Sequence, residues 1–244
     1  MKILAHRGYS GCYPENTMTA FKKALEAGAD GIELDVQLTS DGEVVIIHDE
    51  RVDRTTDGEG RVRDFTLQQI QKLNAAVIKP ELCCEEHVPS FREYCTWVKN
   101  THLITNIELK TGCCWYKGLE EKTLNMVKDY GLEDRVIFSS FNPLSIVKIK
   151  KMAPNILCGL LAEHGGIDNA GDLCSEFGFE YYHPCYRELT KENAENCKEK
   201  GIGMNPWTVN DFQGFLHMKE LNAKSVITNF PDLASAIEKN LSTR

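Results

Sequence analysis

Glu33 and Asp35 stand two residues apart inside an apolar, β-branched run, residues 31–37. On a strand that spacing aims both carboxylates at one face and sends Ile32, Leu34 and Val36 to the other. Neighbouring carboxylates repel unless a cation or a proton shares the site, so metal binding is the first chemistry the pair suggests. Ser40-Asp41-Gly42 then reads as a hairpin, and the chain returns through residues 44–47 to His48. With Asp41-Gly42 as a two-residue turn, Asp35 falls opposite His48, their Cβ atoms roughly 5 Å apart. One hairpin would then deliver two carboxylates and an imidazole to one spot.

The elements that must carry these groups follow from periodicity. Residues 3–7 form a short apolar run ending in His6-Arg7-Gly8, and residues 16–28 show helical spacing, with Asn16 or Thr17 as N-cap and Gly28 as stop. After the hairpin, residues 51–89 are polar and turn-rich, with a brief helical pattern at 67–73, and read as a small insertion above the main fold. Strand and helix patterns then alternate to the end, the remaining strands falling at 103–109, 136–140, 156–161, 179–182, 202–207 and 226–228. Eight strands joined by helix-length connections imply a parallel sheet closed into a (β/α)8 TIM barrel, with a doubly wound open sheet as the alternative. Residues 44–47 follow too short a connection for a parallel crossover, so they must be an excursion at the barrel mouth.

Barrels of this kind carry their chemistry at the C-terminal ends of the strands. That rule gathers His6, Arg7, Glu33, Asp35, His48, Glu108, Lys110 and Trp207 on one rim. Glu33, Asp35 and Glu108 make an oxygen-only ligand set suited to Mg²⁺ or Ca²⁺ rather than zinc; the competing reading pairs them with Arg7 and Lys110 as a structural network. His6 and His48 are the candidates for acid-base work, because an unperturbed imidazole side chain titrates near neutrality and can both accept and donate a proton. Arg7 and Lys110 supply fixed positive charge for an anion such as phosphate, although strict alternation lets Arg7 join only if its strand ends at His6. Trp207 reads equally well as a cover that excludes water and as rim packing.

Composition narrows the classes. A net charge of −8 argues against a nucleic-acid partner, and the short Lys148, Lys150, Lys151 cluster reads as a solvated helix face. Residues 1–11 do not resemble a secretory signal, and no apolar run approaches the ~18 residues of a membrane span. Ten cysteines scattered through strands and helices suggest reduced thiols in a cytoplasm; the doublets Cys83-Cys84 and Cys113-Cys114 lack zinc-site companions and receive no role. A homo-oligomer stays open.

Taken in order, His6-Arg7-Gly8, Pro14-Glu15-Asn16-Thr17, Gly28-Ala29-Asp30, Glu33-x-Asp35, Thr39-x-Asp41-Gly42, His48-Asp49, Arg54-Thr55-Thr56, Glu108-x-Lys110 and Trp207-Thr208-Val209-Asn210 carry a resemblance. The chain resembles the glycerophosphodiester phosphodiesterase family, in its compact soluble bacterial-type form, over nearly its whole length. The resemblance implies a single barrel domain over residues 1–244 with an insertion at 51–89. It also implies hydrolysis of small-molecule glycerophosphodiesters to sn-glycerol 3-phosphate and an alcohol. Carried over by position, it makes Glu33, Asp35 and Glu108 ligands of one Mg²⁺ or Ca²⁺, His6 and His48 the catalytic pair, and Arg7 and Lys110 phosphate contacts. Head-group selectivity would come from loops such as 51–89 and 164–169. Rival readings are a sphingomyelinase D-like or phospholipase-type enzyme acting on lipid, for which no exposed aromatic cluster or basic amphipathic helix is evident, and a barrel that binds phosphodiesters without cleaving them.

Overall fold

The structure, a computed structural model, describes residues 1–82, 85–163 and 166–242. The Cys83-Cys84 doublet and the start of the 164–169 loop therefore lie outside the described residues.

Eight parallel strands form the barrel: β1 (Lys2–His6), β2 (Gly31–Leu38), β4 (Ile104–Leu109), β5 (Val136–Ser140), β6 (Leu157–Ala162), β7 (Tyr181–Pro184), β8 (Gly203–Met204) and β9 (Ser225–Thr228). They run in the order β8-β7-β6-β5-β4-β2-β1-β9. Backbone hydrogen bonds from Lys224 to Met204 (2.8 Å) and from Ile227 to Pro206 (2.9 Å) bridge the seam between β8 and β9. The fold is the (β/α)8 barrel, and an open doubly wound sheet is excluded. The expected strand at 202–207 is shorter than its pattern because Pro206 has no N–H to give a ladder; Trp207 reaches the rim through an isolated bridge to Cys185.

Apolar side chains on the outer strand face, including Ile3, Ala5, Ile32, Leu34, Val36 and Ile107, pack against the helical shell. That shell comprises α1 (Met18–Glu26), α3 (Phe91–Val98), α4 (Leu119–Asp129), α5 (Pro143–Met152), α6 (Ala170–Phe177), α7 (Lys191–Glu199), α8 (Phe212–Glu220) and α9 (Pro231–Ser242), while a short α2 (Leu67–Ile70) belongs to the 51–89 segment. Thr17 caps α1, its hydroxyl oxygen accepting from the Ala20 N–H. The barrel interior is unusually polar. His183 and Asn205 lie 3.2 Å apart, and Ser225 donates to Asn205 at 2.6 Å. A Cβ on Gly159 would stand 2.3 Å from the His183 ring, so only glycine fits there.

The excursion is a ninth strand, β3 (Val44–Ile46), antiparallel to β2, but its register corrects the two-residue turn. Val36 pairs with Ile46 and the Ile47 N–H bonds to the Asp35 carbonyl, so Asp35 faces Ile47 and not His48. Thr39 and Glu43 close the pair around a three-residue loop, with Gly42 at φ 77 in its left-handed position, a longer hairpin form that shifts the register by one. Residues 51–89 form a small apolar cluster of their own, with Val52, Val62, Ile70 and Val88 packed on Val45 and Ile47 of the β3 arm.

Candidate active site

Register builds the centre of the site. On adjacent parallel strands His6 pairs with Glu33, and Asp35 with Glu108, so four side chains spaced by two residues share the inner face at the C-terminal rim. Carboxylate oxygens of Glu33, Asp35 and Glu108 all lie within 4.8 Å of one another, and all three residues are buried. Strand β1 ends at His6, and Arg7 turns back with φ 56, which brings its Nε to 3.5 Å from Asp35 Oδ2. The condition set by strict alternation is thus met. Gly8 completes the turn at φ 78, where a Cβ would meet the Ala20 backbone at 2.7 Å.

The electrostatics of the triad are those of a cation site. Burial, with Asp35 and Glu108 alongside, pushes the Glu33 carboxyl well above its usual range, and burial with Asp35 raises Glu108 too. Burial acts the same way on Asp35, but Arg7, His48, Lys110 and the Asn16 amide outweigh it and hold that carboxyl low. Asp35 Oδ1 is buried with no hydrogen-bond partner among the described residues, Lys110 Nζ standing 3.8 Å away. Three ionised acids against Arg7 and Lys110 leave one excess negative charge, which a divalent ion would turn into one positive. Hard oxygen donors with an unpartnered buried oxygen fit Mg²⁺ or Ca²⁺.

The two imidazoles are each fixed through Nδ1. His6 Nδ1 lies 2.6 Å from Asn229 Oδ1, which can only accept, so the ring presents an unprotonated Nε2, 4.0 Å from Glu33. Burial and the Arg7 charge hold its pKa down to about 4. His48 Nδ1 donates to Asp49 at 2.7 Å, and its Nε2 stands 3.2 Å from Lys110 Nζ, which also donates to Glu108 at 2.8 Å. Arg54 ties the arrangement together, bonding Asp49 at 2.6 Å and Glu15 at 2.8 Å, while Glu15 accepts from Arg7 at 2.9 Å.

Several members of this constellation were not singled out from the sequence. Asn229 follows β9, and the strand-end rule applied to that strand would have found it. Asn106, two residues before Glu108, donates to Ser139 at 3.0 Å and leaves its buried Oδ1 without a hydrogen-bond partner among the described residues, at the cavity wall. Gln37 continues the Glu33, Asp35 series; its amide reaches the carbonyls of Ile47, His48 and Asp49 at 2.7 to 3.0 Å, and Tyr116 donates to its oxygen at 2.7 Å. Gln37→Leu keeps the volume and loses the clasp on the His48 loop. It is expected to lower kcat roughly 10- to 100-fold with cation affinity little changed, the usual cost of a supporting shell; steady-state kinetics beside calorimetric cation titration checks this.

His6, Arg7, Glu33, His48, Glu108, Lys110 and Trp207 all line one cavity of about 500 Å³. Trp207 is anchored by its Nε1 donating to the His183 carbonyl at 2.8 Å and stands edge-on to Phe141, ring centroids 5.7 Å apart. Every residue expected at the site is therefore within or beside one pocket, Asp35 forming part of the acid cluster beneath it.

Comparison with known proteins agrees in kind. The model of the Glycerophosphoryl diester phosphodiesterase family matches residues 6–233. A glycerophosphodiester phosphodiesterase of Caldanaerobacter subterraneus subsp. tengcongensis is 44% identical over 230 residues, covering 94% of each chain. Human glycerophosphodiester phosphodiesterase 1 is 34% identical over 175 residues, covering 70% of this chain and 52% of that protein. A phosphodiesterase of Oleispira antarctica, solved in complex with the product sn-glycerol-3-phosphate, superposes with TM-score 0.89 at 27% identity, covering 98% of this chain and 97% of that one.

Proposed function

The chain belongs to the glycerophosphoryl diester phosphodiesterase family, and from that premise we propose that it hydrolyses water-soluble glycerophosphodiesters to sn-glycerol 3-phosphate and an alcohol, using one divalent cation and the His6, His48 pair. What carries this is the convergence of three buried carboxylates, two oriented imidazoles and two fixed cations on one cavity. The product bound by the Oleispira antarctica relative supports the glycerol phosphate half of the substrate.

Glu33, Asp35 and Glu108 would hold Mg²⁺ or Ca²⁺, which when bound supplies Lewis-acid charge at the phosphate and acidifies the attacking hydroxyl. A glycerol hydroxyl beside the phosphoester attacks phosphorus, and His6 Nε2 takes its proton. His48 protonates the departing alcohol, its ring aimed by Asp49 and by the loop that Gln37 clasps. Water then opens the cyclic phosphate with the roles reversed. Lys110 and Arg7 meet the phosphate oxygens; Arg7 Nε is buried with no hydrogen-bond partner among the described residues, a donor suited to this. Trp207 covers the site.

We read residues 1–244 as one enzyme unit with 51–89 as its insertion. A cytoplasmic setting suits the eight described cysteines, each a free thiol. No described helix is long and apolar enough to cross a membrane.

An activity panel of cations against glycerophosphocholine, glycerophosphoethanolamine and bis(4-nitrophenyl) phosphate tests the proposal. Turnover of the first two with Mg²⁺ or Ca²⁺, release of glycerol 3-phosphate, and poor turnover of the third, which has no neighbouring hydroxyl, are expected. Tight binding of the diesters without product would revive a barrel that only binds. Undiminished activity in chelator would remove the cation from the proposal.

A further inference from the structure

The motif Arg54-Thr55-Thr56, at the start of the 51–89 insertion, has no step of the chemistry assigned to it. Its two threonines are buried and close a turn. The Thr55 and Thr56 N–H groups bond to the Val52 carbonyl at 3.3 and 3.0 Å, and the Thr56 hydroxyl donates to the same oxygen at 2.9 Å. From that fixed backbone the Arg54 side chain reaches two carboxylates at once. Its Nε and Nη2 donate to Asp49 Oδ2 and Oδ1 at 2.6 and 3.0 Å, and its Nη1 and Nη2 donate to Glu15 Oε2 and Oε1 at 2.9 and 2.8 Å. Two edges of the planar guanidinium are thus used, each in a fork that sets the plane of one carboxylate. In each carboxylate the oxygen that Nη2 meets is shared with a residue of the site. Asp49 Oδ1 also accepts from His48 Nδ1 at 2.7 Å, and Glu15 Oε1 also accepts from Arg7 Nη1 at 2.9 Å. The Arg54 side chain is 47% exposed, and ion pairs so exposed add little to stability. Holding a catalytic group within an ångström of its place is worth far more.

Resting on the phosphodiesterase reading, we propose that Arg54 is a positioning residue, which from the insertion holds His48 in place through Asp49 and Arg7 in place through Glu15. It touches no reacting atom. Each branch has its own kinetic signature. The Asp49 branch bears on proton transfer, so its loss falls on kcat. The Glu15 branch bears on the grip of Arg7 on the phosphate, so its loss falls on KM. The insertion thereby braces the catalytic rim through one guanidinium, and the two buried threonines of the motif serve to hold that guanidinium's backbone still.

The test assays Arg54→Gln, Asp49→Asn and Glu15→Gln beside His48→Ala, on glycerophosphocholine and on the 4-nitrophenyl ester of glycerol 3-phosphate, whose departing oxygen needs no proton. Arg54→Gln is expected to lower kcat on glycerophosphocholine roughly 10- to 100-fold, the usual cost of a supporting group. It should also raise KM on both substrates, with the melting temperature little changed. As in His48→Ala, most of the lost kcat should return on the nitrophenyl ester. Asp49→Asn should reproduce the kcat loss alone, and Glu15→Gln the KM rise alone. The ratio of the two kcat values within one preparation does not depend on how much of it is folded. Arg54→Lys keeps the charge and loses the fork, so it should restore little. A kcat loss in Arg54→Gln that does not follow that of His48→Ala across the two substrates, or full activity in Arg54→Lys, would overturn the proposal. Absence of glycerophosphocholine turnover by the unmodified protein with every cation would instead overturn the parent reading, and this one with it.

Discussion

His6→Ala and His48→Ala are each expected to lower kcat on glycerophosphocholine by roughly 10²- to 10⁴-fold, the size of one general acid-base contribution. The two losses should differ in kind. In the proposed mechanism His6, a ring kept neutral by burial with its Nδ1 committed to Asn229, would take the proton of the attacking hydroxyl, so its replacement should remove the base whatever the leaving group. If His48 serves as the acid, its replacement matters only when the departing oxygen needs a proton. A 4-nitrophenyl ester of glycerol 3-phosphate leaves without one, so His48→Ala should recover most of its rate on that substrate and His6→Ala should not. Recovery in the opposite variant would exchange the roles, and near-normal turnover by both variants on glycerophosphocholine would remove the histidine pair from the mechanism.

The second large effect concerns the carboxylates. Asp35→Asn is expected to cost about 10³-fold or more in kcat/KM, because several kcal/mol of charge stabilisation at the phosphate depend on the cation the triad would hold. Chelation of the unmodified protein should do the same and be reversed by adding Mg²⁺ or Ca²⁺. The pH dependence has a definite sign. Without a cation, Glu33 and Glu108 titrate above their usual range, so protons compete with the metal there, and cation affinity should weaken as pH falls through those raised values. A carboxyl raised on folding favours the folded state below its unfolded pKa, and that contribution is lost as pH rises through the folded value. The metal-free protein should therefore lose this part of its stability with rising pH, and cation should restore it. Calorimetric titration in buffers of different ionisation enthalpy reads the released protons; binding that is independent of pH would contradict the coupled triad.

Much of the site was legible because strand geometry is simple. Spacing by two residues placed Glu33 with Asp35 and Glu108 with Lys110, and the strand-end rule brought them to one rim without knowledge of the fold's details. What failed was register. A one-residue difference in hairpin length moved His48 off the position opposite Asp35, and the imidazole instead reaches the site through its loop, held by Gln37 and aimed by Asp49. Local sequence could not show this, since the turn form depends on Thr39 closing on Glu43. The Asn229 partner of His6 lies 223 residues away in the chain and comes near only when the barrel closes.

Anomalous diffraction from crystals of the intact protein soaked in Ca²⁺, at a concentration that supports turnover, tests the central claim most directly. One strong peak is expected among the Glu33, Asp35 and Glu108 oxygens, with metal to oxygen distances of about 2.3–2.6 Å. No peak between those side chains, with the three acids instead closed onto Arg7 and Lys110, would show that the cluster is a structural ion-pair network and that the hydrolysis proceeds without it.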